Sequence, residues 1–269
     1  MDNDDDECYY YEVINETDDP IMPNIDVNII LIMKDSKRFK KDPFLLKLAK
    51  KTIFQYNKGY KECEKPIEIN VSNKDINHAY YTAFEYTKNL NNVIIMEEDA
   101  EIKNYNVNHY KIIDNYINNN DYELISFGCA GNFEKFNDYF YKVSMYGFSH
   151  AQILSRSSRE KLFNYIDYIK FSGHIDQHMS ATLNILCYIK PLIIQLFEET
   201  ENAKTWQGLK NIDFSRISFK PTTFWLPNST REDWDRMYIG AGSISEFNRF
   251  KFLALLLFIL LVYLKYKQN

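Results

Sequence analysis

Val93-Ile94-Ile95-Met96-Glu97-Glu98-Asp99-Ala100 sets four apolar residues directly before three carboxylates. Four apolar residues in a row read as a buried strand. Burying unpaired carboxylates costs roughly several kcal/mol or more, so Glu97, Glu98 and Asp99 are expected at the strand's carboxyl edge. In open α/β sheets that edge is where ligands bind. Alternate residues of an extended strand share a face, so Glu97 and Asp99 can converge on one cation. Hard oxygen donors favour Mg²⁺ or Mn²⁺, and such an ion on one or two carboxylates commonly bridges substrate phosphates. The bland alternative is a solvated loop that simply begins with acids.

Working outward, apolar segments of strand and helix type alternate. Asp26–Met33 reads as a first buried strand, with Asp35 and Arg38 just past its end. Leucine spacing over Pro43–Tyr56 predicts a helix, and Ile67–Val71 a second strand. Asp75 is a fair N-cap for a helix to about Asn89 that carries Asn77 and His78 near its start. After the 93–96 strand come a helix over Tyr110–Ile117 and a short strand over Tyr122–Phe127. One or two strands around Gly147 fit Val143–Leu154. Helices over Ser157–Ile169 and Asp176–Leu186 follow, then an extended segment over Ile189–Gln195. Strands alternating with helices predict an α/β sheet with right-handed crossovers. The expected organisation is an acidic disordered tail over 1–24, an α/β domain over 25–197, an irregular extension over 198–249, and a membrane anchor over 250–267.

A chain of 269 residues can bury one substantial core or two small ones. Only eight glycines are present, which argues against a glycine-rich phosphate loop. Net charge is −5, but its distribution says more. Residues 1–33 hold ten acids and no Lys or Arg, whereas Lys34–Lys65 carry eleven basic residues against four acids. That contrast reads as a disordered tail followed by a solvated face, or as a basic surface for a polyanion such as a sulfated glycan. Nucleic acid is not expected as a partner. Cys8, Cys63, Cys129 and Cys187 follow no metal-ligand spacing and are expected as buried free thiols. His174 and His178 lie four apart, but no Glu completes a zinc pattern there. The acidic, polar start of the chain has no signal-peptide character.

Phe252–Leu264 is an apolar run of thirteen residues. As a helix it spans ~20 Å, short of a ~30 Å hydrocarbon core. Arg249 and Lys251 before it, and Lys265 and Lys267 after it, can snorkel, while Phe250, Tyr263 and Tyr266 suit the interfaces. A single-pass tail anchor is therefore expected, with cations on both sides leaving its orientation open.

The motifs form an ordered series. Asp35-x-x-Arg38 follows the first strand, Asn77-His78 opens a helix, and Glu97-Glu98-Asp99 closes a strand. Gly147-Phe148-Ser149-His150-Ala151, His174-Ile175-Asp176, and Lys190-Pro191-Leu192-Ile193 with Gln195 come next. Over roughly residues 26–196 this series resembles family 25 glycosyltransferases. Their fold is Rossmann-like, of the GT-A type, with a mixed, mostly parallel sheet flanked by helices. The resemblance implies a nucleotide sugar contacted by Asp35, Arg38 and His78. It also implies Mn²⁺ or Mg²⁺ on Glu97, Glu98 and Asp99, and Asp176 as the base on the acceptor hydroxyl. Asn77 stands where the family has Ser, Glu98 where it has Asp, and the usual Arg pair after the first strand is missing. As plain structure, His78 is a helix-start histidine satisfied by its neighbours and Asp176 a helix cap.

A second resemblance covers more of the chain. An acidic start, the carboxylate-ended strand, Tyr168-Ile169-Lys170-Phe171-Ser172-Gly173, Lys220-Pro221-Thr222-Thr223-Phe224-Trp225 and the terminal apolar run are similar to the tail-anchored immunodominant envelope protein family of poxviruses. That resemblance implies a glycosyltransferase-like ectodomain on the virion envelope that attaches to host heparan sulfate, a glycosaminoglycan. It leaves open whether a sugar-nucleotide site and catalysis are retained.

Overall fold

The computed structural model describes residues 9–33, 41–57, 74–147, 149–169 and 173–195, all within one compact unit. In chain order the strands are β1 (Tyr9–Glu16), β2 (Val27–Met33), β3 (Lys51–Asn57), β4 (Asn92–Glu97), β5 (Ala100–Ile102) and β6 (Leu124–Ser126). They continue with β7 (Ala130–Lys135), β8 (Phe140–Gly147), β9 (Ala151–Ser155), β10 (Ile185–Tyr188) and β11 (Ile193–Gln195). The helices are α1 (Lys74–Tyr86), α2 (Val107–Asn119), α3 (Arg156–Tyr168) and α4 (Ile175–Thr182).

Nine strands form one mixed sheet in the order β1-β3-β2-β4-β9-β6-β10-β8-β7, and β11 pairs with β5 in a small second sheet. Strands β2, β3, β4, β6, β7 and β10 run one way, and β1, β8 and β9 run the other. The result is a mixed α/β sheet flanked by helices, compatible with a Rossmann-like fold. Strand β9 enters antiparallel between β4 and β6, pairing Ala151 with Met96. Its leading loop therefore lies at the carboxyl end of β4.

Strand alternation divides the core in two. Val27, Ile29, Val93, Ile95, Leu124 and Leu154 face α1, α3 and α4, packing on Ala79, Ala83, Leu162, Ile166 and Met179. Ile30, Ile94, Met96, Ile125 and Ile153 face the other way, onto Tyr110, Ile113 and Ile117 of α2 and onto Leu45 and Leu48. Each side chain of this size contributes about 1.5–3 kcal/mol by leaving water. The continuous apolar runs of β2 and β4 follow from burial on both faces.

Several elements differ from the sequence reading. Tyr9–Glu16, inside the segment read as disordered, is the edge strand β1, paired with β3. Its tyrosines suit a strand and stack across it, Tyr10 on Tyr56 of β3 at 4.6 Å. The helix expected over Pro43–Tyr56 is a single 3₁₀ turn at Leu45–Lys47 followed by β3. There Thr52, Ile53, Phe54 and Tyr56 favour a strand, and pairing with β2 decides against the leucine spacing. The helix expected to reach Leu186 stops at Thr182, and Ile185–Tyr188 pairs with β6 and β8 as β10. Strands β5 and β7 were not anticipated. The strand expected over 67–71, the basic residues 34–40 and 58–65, and everything beyond 195 lie outside the described residues. Among the described residues no helix is long and apolar enough to cross a membrane, and the anchor expected at 252–264 falls outside them.

Candidate functional site

Alternation along β4 decides where its carboxylate points. Val93 and Ile95 face α1 and α4, so Glu97 falls on that face, at the strand's carboxyl end. Polar residues collect there. Gln152 of β9 is fully buried on the same face, in a strand whose neighbours are apolar. From α1, Tyr80 is fully buried with its hydroxyl among them.

These groups form a hydrogen-bonded chain. Gln152 Nε2 donates to Tyr80 Oη at 2.7 Å. Tyr80 has one hydroxyl hydrogen and two acceptors: the carbonyl of Ser149 at 2.7 Å and Glu97 Oε1 at 3.3 Å. The nearer acceptor, Ser149, takes the better bond. Ser149 Oγ in turn donates to Glu97 Oε1 at 3.3 Å, and the Ser149 amide donates to Asp176 Oδ1 at 3.3 Å. The Glu97 amide donates to the His150 carbonyl at 2.8 Å, which ties the loop to the end of β4.

Asp176 comes from the first turn of α4. The helix N-cap position is His174, without a side-chain capping bond, so Asp176 is not the cap and instead receives the Ser149 amide. Two features hold the start of α4. Asn77 Nδ2 of α1 donates to the Gly173 carbonyl at 2.9 Å. Gly173 itself has φ +81°, where a side chain is strained, and a Cβ would come 2.8 Å from the His178 ring.

Electrostatics set this spot apart. Glu97 is only partly covered, at the end of β4. Burial first, then the charges of Asp99 and Asp176, push its pKa well above the usual carboxylate range. Burial and the Glu97 charge likewise drive the Tyr80 hydroxyl well above its ordinary value. Tyr146 of β8, near Cys129, Ser126 and Asp176, is raised by burial and by Cys129. Cys129 and Cys187 are buried free thiols, as expected.

From the expected set, Glu97 and Asp176 share the partner Ser149, and the Asp99 and Asp176 charges act on Glu97. Glu98 is buried in the turn after β4. His78 is half-buried in α1, and Glu97 Oε1 is bonded by Tyr80 and Ser149. Asp35 and Arg38 lie outside the described residues. Sequence reasoning gave no role to Tyr80, Ser149 or Gln152. The polar Gln152 inside an apolar strand was the one available signal.

Carboxylate oxygens are the donor chemistry that Mg²⁺ and Mn²⁺ take. Among the described residues, however, no three His, Cys, Asp or Glu side chains stand as a ready-made metal-holding group. Comparison of the chain with protein-family models and with curated proteins finds no match.

Proposed function

We propose that the α/β domain is a glycosyltransferase-like module that binds a nucleotide sugar with Mn²⁺ or Mg²⁺ at its carboxyl edge, carried on a tail-anchored envelope protein. One observation carries this reading: Ser149 bonds both Glu97 at the strand end and Asp176 at the helix start, and the charges of Asp99 and Asp176 act on Glu97. Gathering like charges with partial desolvation opposes folding, so a carboxylate perturbed as Glu97 is marks a functional-site candidate. A divalent ion commonly takes only one or two protein carboxylates and completes its shell with water and substrate phosphates. A set of two or three carboxylates without a preformed cage fits that habit.

Glu97 and Asp99 would hold the cation, which when bound offsets the charge of the leaving diphosphate. Asp176, held by the Ser149 amide, is the carboxylate suited to take the acceptor hydroxyl's proton. Tyr80 and Gln152 exclude water behind Glu97 and fix its position. The test is calorimetry of the full-length chain in mild detergent with a panel of nucleotide sugars, with and without Mn²⁺. Binding that requires Mn²⁺ and is lost in Asp99→Ala supports the reading. The absence of binding to any nucleotide sugar, or unchanged binding in Asp99→Ala, overturns it.

For the biological role we propose attachment to glycosaminoglycan, supported by the basic stretch Lys34–Lys65 and the second resemblance. Within its described part, Lys50 pairs with Asp26 at 3.2 Å and Lys51 with Glu16 at 2.7 Å. Exposed pairs of this kind contribute about 0–1 kcal/mol, little enough for sulfate groups to replace the acids. Retention on heparin at low salt that falls steeply as salt rises is the expected result. Failure to bind at low salt contradicts the role.

A further inference from the structure

We propose that Ser149 is the positioning residue that sets Glu97 and Asp176 in register. The inference rests on the carboxylate-site reading above and names the part that gives that site its shape.

All three polar groups of Ser149 are engaged, each with a different element. Its amide reaches Asp176 of α4, its hydroxyl reaches Glu97 of β4, and its carbonyl takes the hydroxyl of Tyr80 from α1. The residue is 3% exposed, so water cannot readily replace these partners. The neighbouring His150 carbonyl takes the Glu97 amide, so backbone and side chain of Glu97 are both tied to the same two-residue segment. Any displacement of Ser149 therefore moves a base candidate and a cation-ligand candidate together.

The contacts on Glu97 are also selective. Tyr80 and Ser149 both address Oε1, which leaves Oε2 as the oxygen for a ligand. A glutamate side chain loses rotamer freedom on binding a cation, and the Ser149 hydroxyl that holds it beforehand removes part of that cost. Sites work when supporting bonds hold such groups to about 0.5 Å. Of the two donors, the Ser149 hydroxyl is the one that belongs to the segment joined to Asp176. Tyr80 is bonded to that segment at the Ser149 carbonyl.

Three variants of the full-length chain test this, read by calorimetric Mn²⁺ titration with the unfolding temperature recorded alongside. Ser149→Ala keeps the backbone contacts and removes the hydroxyl, so Mn²⁺ affinity should fall about tenfold, as expected for a hydrogen bond to a charged group. Ser149→Thr restores the hydroxyl and should return affinity to within about threefold of the parent. Ser149→Cys keeps the size with a weak donor and should resemble Ser149→Ala, carrying the test should the alanine variant fail to fold. Parent-like affinity in the Ala and Cys variants, or an equal loss in all three, overturns the inference alone. A parent chain that takes up no Mn²⁺ overturns the site reading and this inference together.

Discussion

Tyr80 donates its hydroxyl hydrogen to the carbonyl oxygen of Ser149 at 2.7 Å, which joins α1 to the loop before β9 across 69 residues of chain. Behind it, the Gln152 amide donates into the Tyr80 hydroxyl oxygen. Tyr80→Phe leaves the Ser149 carbonyl without its donor and Gln152 Nε2 without its acceptor, both in a dry setting. The expected loss is about 1–3 kcal/mol, read as a lower urea midpoint at unchanged slope. An unchanged midpoint would contradict the network.

Glu97 gives a pH prediction. Its pKa is raised in the fold, by burial and by Asp99 and Asp176. Above the ordinary carboxylate pKa, the folded chain therefore keeps a proton that the unfolded chain has released. Stability is fully present below that ordinary value and declines as pH rises toward the raised one. Glu97→Gln mimics the protonated form and removes the decline. In chelator, the variant should match the parent near pH 4 and exceed it increasingly toward pH 8 by thermal unfolding. A constant difference across that range would refute the assignment.

Gly128 follows β6, where an added Cβ would lie 2.5 Å from the Ile193 carbonyl oxygen. Both partners are backbone, so β6 and β11 must separate to admit a methyl group. Gly128→Ala should destabilise by about 1–3 kcal/mol, measured by chemical denaturation. A neutral effect would show that β11 does not pack there.

Arg159 of α3 is 2% exposed and donates to four carbonyls: Thr87, Leu90, Asn91 and Leu154. Burial lowers its pKa to about 10, so it stays charged at neutral pH. It holds the end of α1 to the start of β4, about as far from Glu97 as that strand allows. Arg159→Met strands those carbonyls and should cost about 3 kcal/mol or more. Mn²⁺ affinity in the surviving folded fraction should stay unchanged, which separates scaffold from site.

How much of this was legible in the chain varies with the kind of order involved. Strands β2 and β4 were visible because both faces are buried, which writes a continuous apolar run. Strand β1 and the Lys51–Asn57 strand were not. Tyr9–Tyr11 show no alternation, the leucines just before Lys51 have helical spacing, and the choice is made by partners distant in sequence. The same holds for Ile185–Tyr188, whose place between β6 and β8 is tertiary information. At the site, Glu97, Asp99 and Asp176 stood out in the chain as candidates because acids follow directly on a fully apolar run or open a helix. Ser149 and Tyr80 were not, because a serine and a tyrosine become notable only once folding sets them against Glu97.

The central claim is that the carboxylates at the end of β4 form a divalent-cation site. Electron paramagnetic resonance of free Mn²⁺ titrated with the full-length chain tests it without reliance on turnover or on any sugar. The account predicts loss of the free-ion signal at about one Mn²⁺ per chain, abolished in Glu97→Gln and Asp99→Asn and retained in Arg159→Met. An undiminished free-ion signal with the parent chain, or equal uptake by the Glu97 and Asp99 variants, would contradict it.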